Sequence, residues 1–98
     1  MSLLVVLRAE AQTEFDEAFD WYEARRAGLE VDLAVRVQEV FDRIAANPQI
    51  HGTVFQDIRK AVVRYFPDCV FYREEAAQVL VLAVFHSKRD PSIWQARV

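Results

Sequence analysis

Residues 84 to 94, VFHSKRDPSIW, change within two positions from an apolar run to a cluster of charged side chains. His86 could act as a general acid or base near neutral pH. Arg64 and Arg73, if they point to the same side as this segment, could hold a phosphate with bidentate hydrogen bonds. RNA cleavage by a 2′-hydroxyl needs those roles, namely a base, an acid and a cation beside the phosphorane. These residue types therefore raise the hypothesis of a phosphodiester-cleaving site.

The same residues have a second, purely structural interpretation. Antiparallel sheets normally carry arginine and lysine on a solvated face, and a lone histidine at a strand end is often only hydrogen-bonded there. The segment Lys88-Arg89-Asp90-Pro91 also has the composition of a turn, with Asp before Pro starting a tail helix or bend. Both interpretations stay open at the level of the residues.

Composition limits the classes of protein that fit. The 98 residues are long enough for one domain, over 1–98, with a single core, and the only cysteine, Cys69, excludes an intramolecular disulfide and a metal site of four cysteines. The net charge is −3, with ten acids and five bases in residues 1–50 and five acids and seven bases in residues 51–98. That balance disfavours binding of nucleic acid by bulk attraction. No apolar run reaches the roughly 20 residues of a membrane helix, so we expect a soluble, cytoplasmic protein.

The first half of the chain has helical periodicity after one short strand. Leu3 to Leu7 is a run of leucine and valine typical of a buried strand. Apolar residues then recur every three or four positions, which predicts an amphipathic helix from about Ala9 to Arg26 that stops at Gly28. A second helix must end near Asn47-Pro48, because a proline pushes the residue before it out of the helical region.

The second half has the composition of strands. The segments 58–66, 69–73 and 79–85 are rich in Val, Ile, Phe and Tyr and are separated by turn residues, which predicts an antiparallel meander. The element order is β-α-α-β-β-β, so we expect an α+β fold with a helical hairpin packed on an antiparallel sheet. The last strand is apolar at almost every position and should be buried on both faces. Its second face has no evident cover except Ile93 and Trp94.

With its elements in this order, the chain resembles the RelE/ParE superfamily of bacterial type II toxins. The resemblance runs from Leu3 to about Trp94 and is carried by FDEAFDWYEAR in the first helix, IAANP at the end of the second, IRKAVVRYFPDCVFYREE, and VLVLAVFHSKRDPSIW. It implies the β-α-α-β-β-β toxin fold and a small cognate antitoxin that covers part of the sheet or groove. It also implies growth inhibition and a role in plasmid stabilization.

The superfamily contains two branches that differ in their targets. One branch cleaves mRNA in the ribosome with arginine, lysine and histidine side chains on the strands, which would here be Lys60, Arg64, Arg73 and His86. The other branch is linked to poisoning of DNA gyrase, and FDWYEARRAG and VFHSKRDPSIW resemble it more closely.

The net charge of −3 and the acidic pair Glu74-Glu75 beside Arg73 depart from the strongly basic pattern of the nuclease branch. The sequence therefore favours a ParE-like toxin that is not an enzyme and binds a protein such as DNA gyrase. The alternatives are a ribosome-dependent endoribonuclease and a decayed relative that only binds its antitoxin.

The residues expected to bind the antitoxin or the target carry positive charge or a large aromatic ring. They are Arg59, Arg64, Arg73, Lys88, Arg89 and Trp94. The ribosome and mRNA are less favoured partners, and nothing in the sequence indicates a cofactor or a metal.

Overall fold

Two helices joined by a short turn lie against a five-stranded sheet in the computed structural model, which describes residues 2–98. The elements in chain order are β1 (Leu4–Leu7), α1 (Ala9–Arg25), α2 (Leu29–Ala46), β2 (Thr53–Phe55), β3 (Ile58–Val62), β4 (Asp68–Glu74), β5 (Gln78–His86) and the short helix α3 (Ser92–Gln95). The predicted α+β fold, with a helical hairpin on a mostly antiparallel sheet, is confirmed. None of the helices within residues 2–98 is long and apolar enough to cross a membrane.

Local sequence explains where the two long helices begin and end. Gly28 separates them with a φ of 94°, a left-handed conformation that glycine adopts without steric cost. The helix α2 ends at Ala46, directly before Asn47-Pro48, as predicted. Its buried residues Leu33, Val37, Val40 and Ile44 form a single stripe that packs on the sheet.

The strands are arranged in the order β1-β5-β4-β3-β2, and β1 pairs with β5 in parallel while the other pairs are antiparallel. Two details differ from the sequence-based expectation. The strand predicted over residues 58–66 ends at Val62, because residues 63–66 form a turn. An additional short strand, β2, pairs with β3 through a hairpin whose first loop residue, Gln56, has a φ of 51°.

Burial on both faces explains why β5 is apolar at almost every position, and a bulge sets which residues face which side. Tyr72 pairs with Val81 and Phe71 pairs with Ala83, so Leu82 is an extra residue on β5. Val79, Val81 and Val84 face the helices, while Leu80, Leu82, Ala83 and Phe85 face the opposite side. The expected burial of this strand on both faces is confirmed, and the bulge shifts the alternation by one residue.

The second face of the sheet is covered by the C-terminal tail of the same chain. The Trp94 ring stacks on Phe71 with centroids 4.3 Å apart and meets Phe55 edge-on at 5.8 Å. Trp94 is only 2% exposed and belongs to a second hydrophobic cluster with Ile58 and Phe85. The tail therefore covers Phe71 and Phe85, in agreement with the partial cover expected from it.

We predict that Trp94→Ala destabilises the protein by about 3–5 kcal/mol, because it empties the site of a large buried ring. Binding of a hydrophobic dye should rise at the same time, since Phe71 and Phe85 lose their cover. The matched control is Ile93→Ala, because Ile93 is 43% exposed and should lose far less stability. Equal losses in urea denaturation of the two variants would contradict this role of Trp94.

Candidate functional site

A buried carboxylate, Glu14 of α1, lies against β5 and the C-terminal tail. Its side chain is 8% exposed. The guanidinium of Arg97 donates to both of its oxygens, from Nη1 to Oε1 at 2.9 Å and from Nη2 to Oε2 at 3.0 Å. Arg89 donates from Nη1 to Oε2 at 3.2 Å. Two cations therefore surround one acid, and the pKa of Arg97 is raised chiefly by its hydrogen bonds to Glu14.

This cluster also provides hydrogen-bond partners for backbone groups at the open edge of β5. The four-residue strand β1 pairs with β5 only as far as Val81. Beyond that residue, the backbone groups of β5 that point away from β4 have no neighbouring strand. There the N–H of Val84 donates to Glu14 Oε1 at 3.2 Å, and Arg97 Nη1 donates to the carbonyl of Leu82 at 3.0 Å. The Glu14–Arg97 pair therefore takes the place of a continuing strand and keeps buried backbone groups hydrogen-bonded.

A second buried acid lies at the start of β4. Asp68 accepts a hydrogen bond from the hydroxyl of Tyr22 at 2.7 Å, and both residues are buried. The pKa of Tyr22 is raised, first by burial and then by the hydrogen bond to Asp68. Tyr22 is therefore held in its neutral, donating form.

Between α1 and the end of β5 these residues enclose a cleft of about 270 Å³. Its lining combines the two buried acids with His86 and Arg89, and Trp21, which is 52% exposed, stands at its wall. The guanidinium of Arg25 lies 4.2 Å from the Trp21 ring centroid. The cleft is largely apolar with a few polar groups, a composition typical of binding pockets.

The charged segment after β5, residues 86–91, forms a compact turn that we call the tip. The N–H of Lys88 donates to His86 Nδ1 at 3.0 Å, and the N–H of Ser87 donates to the carbonyl of Pro67 at 2.9 Å. Asp90 accepts from the N–H of Ser92 at 2.9 Å, which lowers the pKa of Asp90. The turn predicted for this segment is therefore present, and its ordered backbone fixes the charged side chains at one end of the sheet.

The structure brings together only part of the set considered for RNA cleavage. Lys60 and His86 line a second cleft of about 280 Å³ on the tail side of the sheet, and Arg89 borders both clefts. Arg73 lies at the other end of β4. His86 pairs with Asp68 at the start of that strand, and Arg73 follows Asp68 by five residues, which is about 17 Å at 3.3 Å per residue. Arg73 is also bound to Asp57, from Nε to Oδ2 at 3.2 Å and from Nη2 to Oδ1 at 3.0 Å.

The remaining predicted binding residues are dispersed. Arg59 donates from Nη1 to the carbonyl of His51 at 2.6 Å on the helix side of β3, opposite to Lys60. Arg64 lies in the turn after β3, where its guanidinium is 4.8 Å from the ring centroid of Tyr65. Lys88 is exposed at the tip, whereas Trp94 is buried in the second cluster. Arg59, Arg64 and Arg73 therefore form no common basic patch.

A model of the ParE toxins of type II toxin–antitoxin systems, parDE, matches residues 5–91. The match spans the two long helices, most of β1, the strands β2 to β5 and the tip. The chain belongs to the ParE toxin family. A ParE toxin is the toxin component of a type II system, and membership of the family implies an antitoxin as partner.

A solved structure described as the chromosomal ParDE toxin–antitoxin system of P. aeruginosa has the same fold as this ParE-family chain. The superposition has a TM-score of 0.73 and covers 87% of this chain and 96% of the other, at 11% sequence identity. At that identity the likeness concerns the fold. A search of curated proteins found no significant match.

The sequence patterns missed two of the residues that organise this ParE-family site. The helical periodicity places Glu14 among the charged positions of α1 away from the apolar stripe, and no pattern marks Arg97. A signal for Glu14 exists, because Ala11, Glu14, Ala18 and Tyr22 are spaced by three, four and four residues and lie along one helix face. Two alanines on that line indicate a closely packed face. No comparable local signal identifies Arg97, whose partner is 83 residues away.

We predict that Tyr22→Phe destabilises this toxin by about 1–3 kcal/mol, because it leaves the buried Asp68 without its side-chain donor. The raised pKa of Tyr22 sets a pH dependence: its stabilising contribution is fully present below about pH 10 and is lost as the pH rises further. Urea denaturation at pH 7 and at pH 10.5 measures both effects. Trp21→Phe, at the neighbouring exposed ring, is the control, and an equal loss in that variant would contradict the assignment.

Proposed function

We propose that this ParE-family toxin inhibits growth by binding a protein target, with DNA gyrase as the expected one, and that it cleaves no RNA. A cognate antitoxin neutralises it by binding the clefts beside the tip. The observation that carries the proposal is the separation of the charged residues. Arg73 is about 17 Å along β4 from the residue paired with His86 and is held by Asp57, so the two cannot contact one phosphate.

The charges at the tip favour the same function. Arg89 shares Glu14 with Arg97, so much of its charge is compensated inside the protein. His86 uses Nδ1 to accept the N–H of Lys88, which leaves only Nε2 for an external group. A net charge of −3 gives no general attraction to a polyanion such as the ribosome. An exposed turn with one free lysine suits recognition of a protein surface better than catalysis at a phosphate.

A ribosome-dependent endoribonuclease is the second candidate, and one observation favours it. Lys60, His86 and Arg89 border the same cleft of about 280 Å³, so cations and an imidazole line one space that a phosphate could enter. This reduced set lacks Arg73 and Arg64. A variant of His86 distinguishes the two functions, because His86 is essential only for the endoribonuclease.

We predict graded losses of toxicity when the tip is altered. If the tip is a binding surface, Lys88→Ala should raise the toxin level needed for growth arrest by about five- to tenfold, as a loss of 1–1.4 kcal/mol of binding would. His86→Ala should have a smaller effect, and Arg73→Ala, at the far end of β4, serves as the control. The measurement is controlled expression in bacteria, with growth, mRNA integrity and DNA breaks recorded together.

The opposite pattern would establish the nuclease. Rapid mRNA cleavage by the wild-type toxin, abolished in a folded His86→Ala variant, would overturn the proposal. Growth that is unaffected by the wild-type chain would instead identify a family member that has kept only its antitoxin binding.

A further inference from the structure

Tyr65 has a backbone conformation that tyrosine rarely adopts. Residues 63–66 form a turn closed by the N–H of Phe66, which donates to the carbonyl of Val63 at 3.1 Å. Tyr65 is the third residue of this turn and has a φ of 69°. A positive φ at that position is the role of glycine or asparagine, and for a bulky side chain it is an outlier. Among the non-glycine residues in 2–98, only Gln56 and Tyr65 have a positive φ.

Packing of the fold does not explain the tyrosine. Its side chain is 74% exposed, whereas its neighbour Phe66 points inward and meets Tyr22 edge-on at 5.0 Å. The turn is therefore anchored to the core by Phe66. A strained backbone that holds an exposed ring is typical of a functional position, because stability alone would favour glycine there.

Two guanidinium groups hold the ring in place. The Cζ atoms of Arg36 and Arg64 lie 4.9 Å and 4.8 Å from its centroid. Arg36, on α2, is itself fixed by Glu39, whose two oxygens accept from Nη1 at 2.9 and 3.0 Å. Arg64 makes no ion pair with any residue in 2–98. The ring is thus preorganised by cation–π contacts, with one uncompensated cation beside it.

We propose that Tyr65 and Arg64 form an anchor for the protein that the toxin inhibits, with the ring entering a pocket of that protein and Arg64 meeting a carboxylate. Tyrosine and arginine are the residue types that dominate the energy of protein interfaces, and preorganisation reduces the entropy lost on binding. This inference rests on the proposed function and adds a contact site that lies outside both clefts, since Tyr65 lines neither of them.

Shape and charge favour a folded protein as the partner. Tyr65 projects from a turn outside both clefts, so it needs a preformed pocket in its partner, which favours a folded protein over a small antitoxin bound in the clefts. Nucleic acid is disfavoured because phosphate binding needs several free cations, and Arg36 is compensated by Glu39. The free charge beside the ring is that of Arg64 alone.

The test compares variants that relieve the strain at the two positions with positive φ. Tyr65→Gly and Tyr65→Asn should keep or raise the melting temperature and should raise the toxin level needed for growth arrest by about tenfold or more. Gln56→Gly is the matched control: it removes the same kind of strain in the β2–β3 hairpin and should leave growth arrest unchanged. Arg64→Glu should weaken growth arrest more than Arg64→Gln does, because it repels the partner's carboxylate.

Several results would overturn the inference. One is unchanged growth arrest by the Tyr65 variants, and another is a fall in melting temperature of about 5 °C or more, which would make the residue structural. A third is binding of a single-stranded oligonucleotide to the purified wild-type chain that is lost in Tyr65→Gly, which would indicate a base-stacking platform. Growth arrest by the wild type through mRNA cleavage, or no arrest at all, would instead refute the proposed function on which the inference rests.

Discussion

The carboxylate of Glu14 is the constraint on which the arrangement of this toxin depends. A buried charge is tolerated only with partners, and Glu14 has three: the guanidinium groups of Arg97 and Arg89 and the N–H of Val84. Each partner belongs to a different part of the chain, namely the tail, the tip and β5. One side chain of α1 therefore closes the open edge of the sheet and fixes the segment that carries Trp94.

The same contacts determine which charges are free to meet another molecule. Arg97 and Arg89 are directed inward by Glu14, and Arg73 is bound to Asp57. Lys88 at the tip and Arg64 beside Tyr65 have no such partner among residues 2–98. Of the cations considered for RNA cleavage, Lys60 lies beside His86, whereas Arg64 lies beside Tyr65 and Arg73 is bound to Asp57. That distribution favours recognition of a protein over cleavage of RNA.

The sequence predicted the two long helices, four of the five strands and their order along the chain, because these depend on local periodicity and on turn residues such as Gly28 and Pro48. It could not predict the bulge at Leu82, since a bulge is defined only by pairing with β4. For the same reason it could not show that Arg73 and His86 lie at opposite ends of that strand pair. The role of Arg97 depends on a contact with a residue near the other end of the chain, which no local pattern encodes.

A double-mutant cycle between Glu14 and Arg97 tests this account most directly. The free energies of unfolding of Glu14→Gln, Arg97→Met and the double variant give the coupling between the two residues. We expect about 2 kcal/mol or more, because each single change leaves a buried partner unsatisfied. The partly exposed pair Arg36 and Glu39, treated in the same way, should give less than about 1 kcal/mol. Losses at Glu14 and Arg97 that add within about 0.5 kcal/mol would contradict the central role of the buried carboxylate.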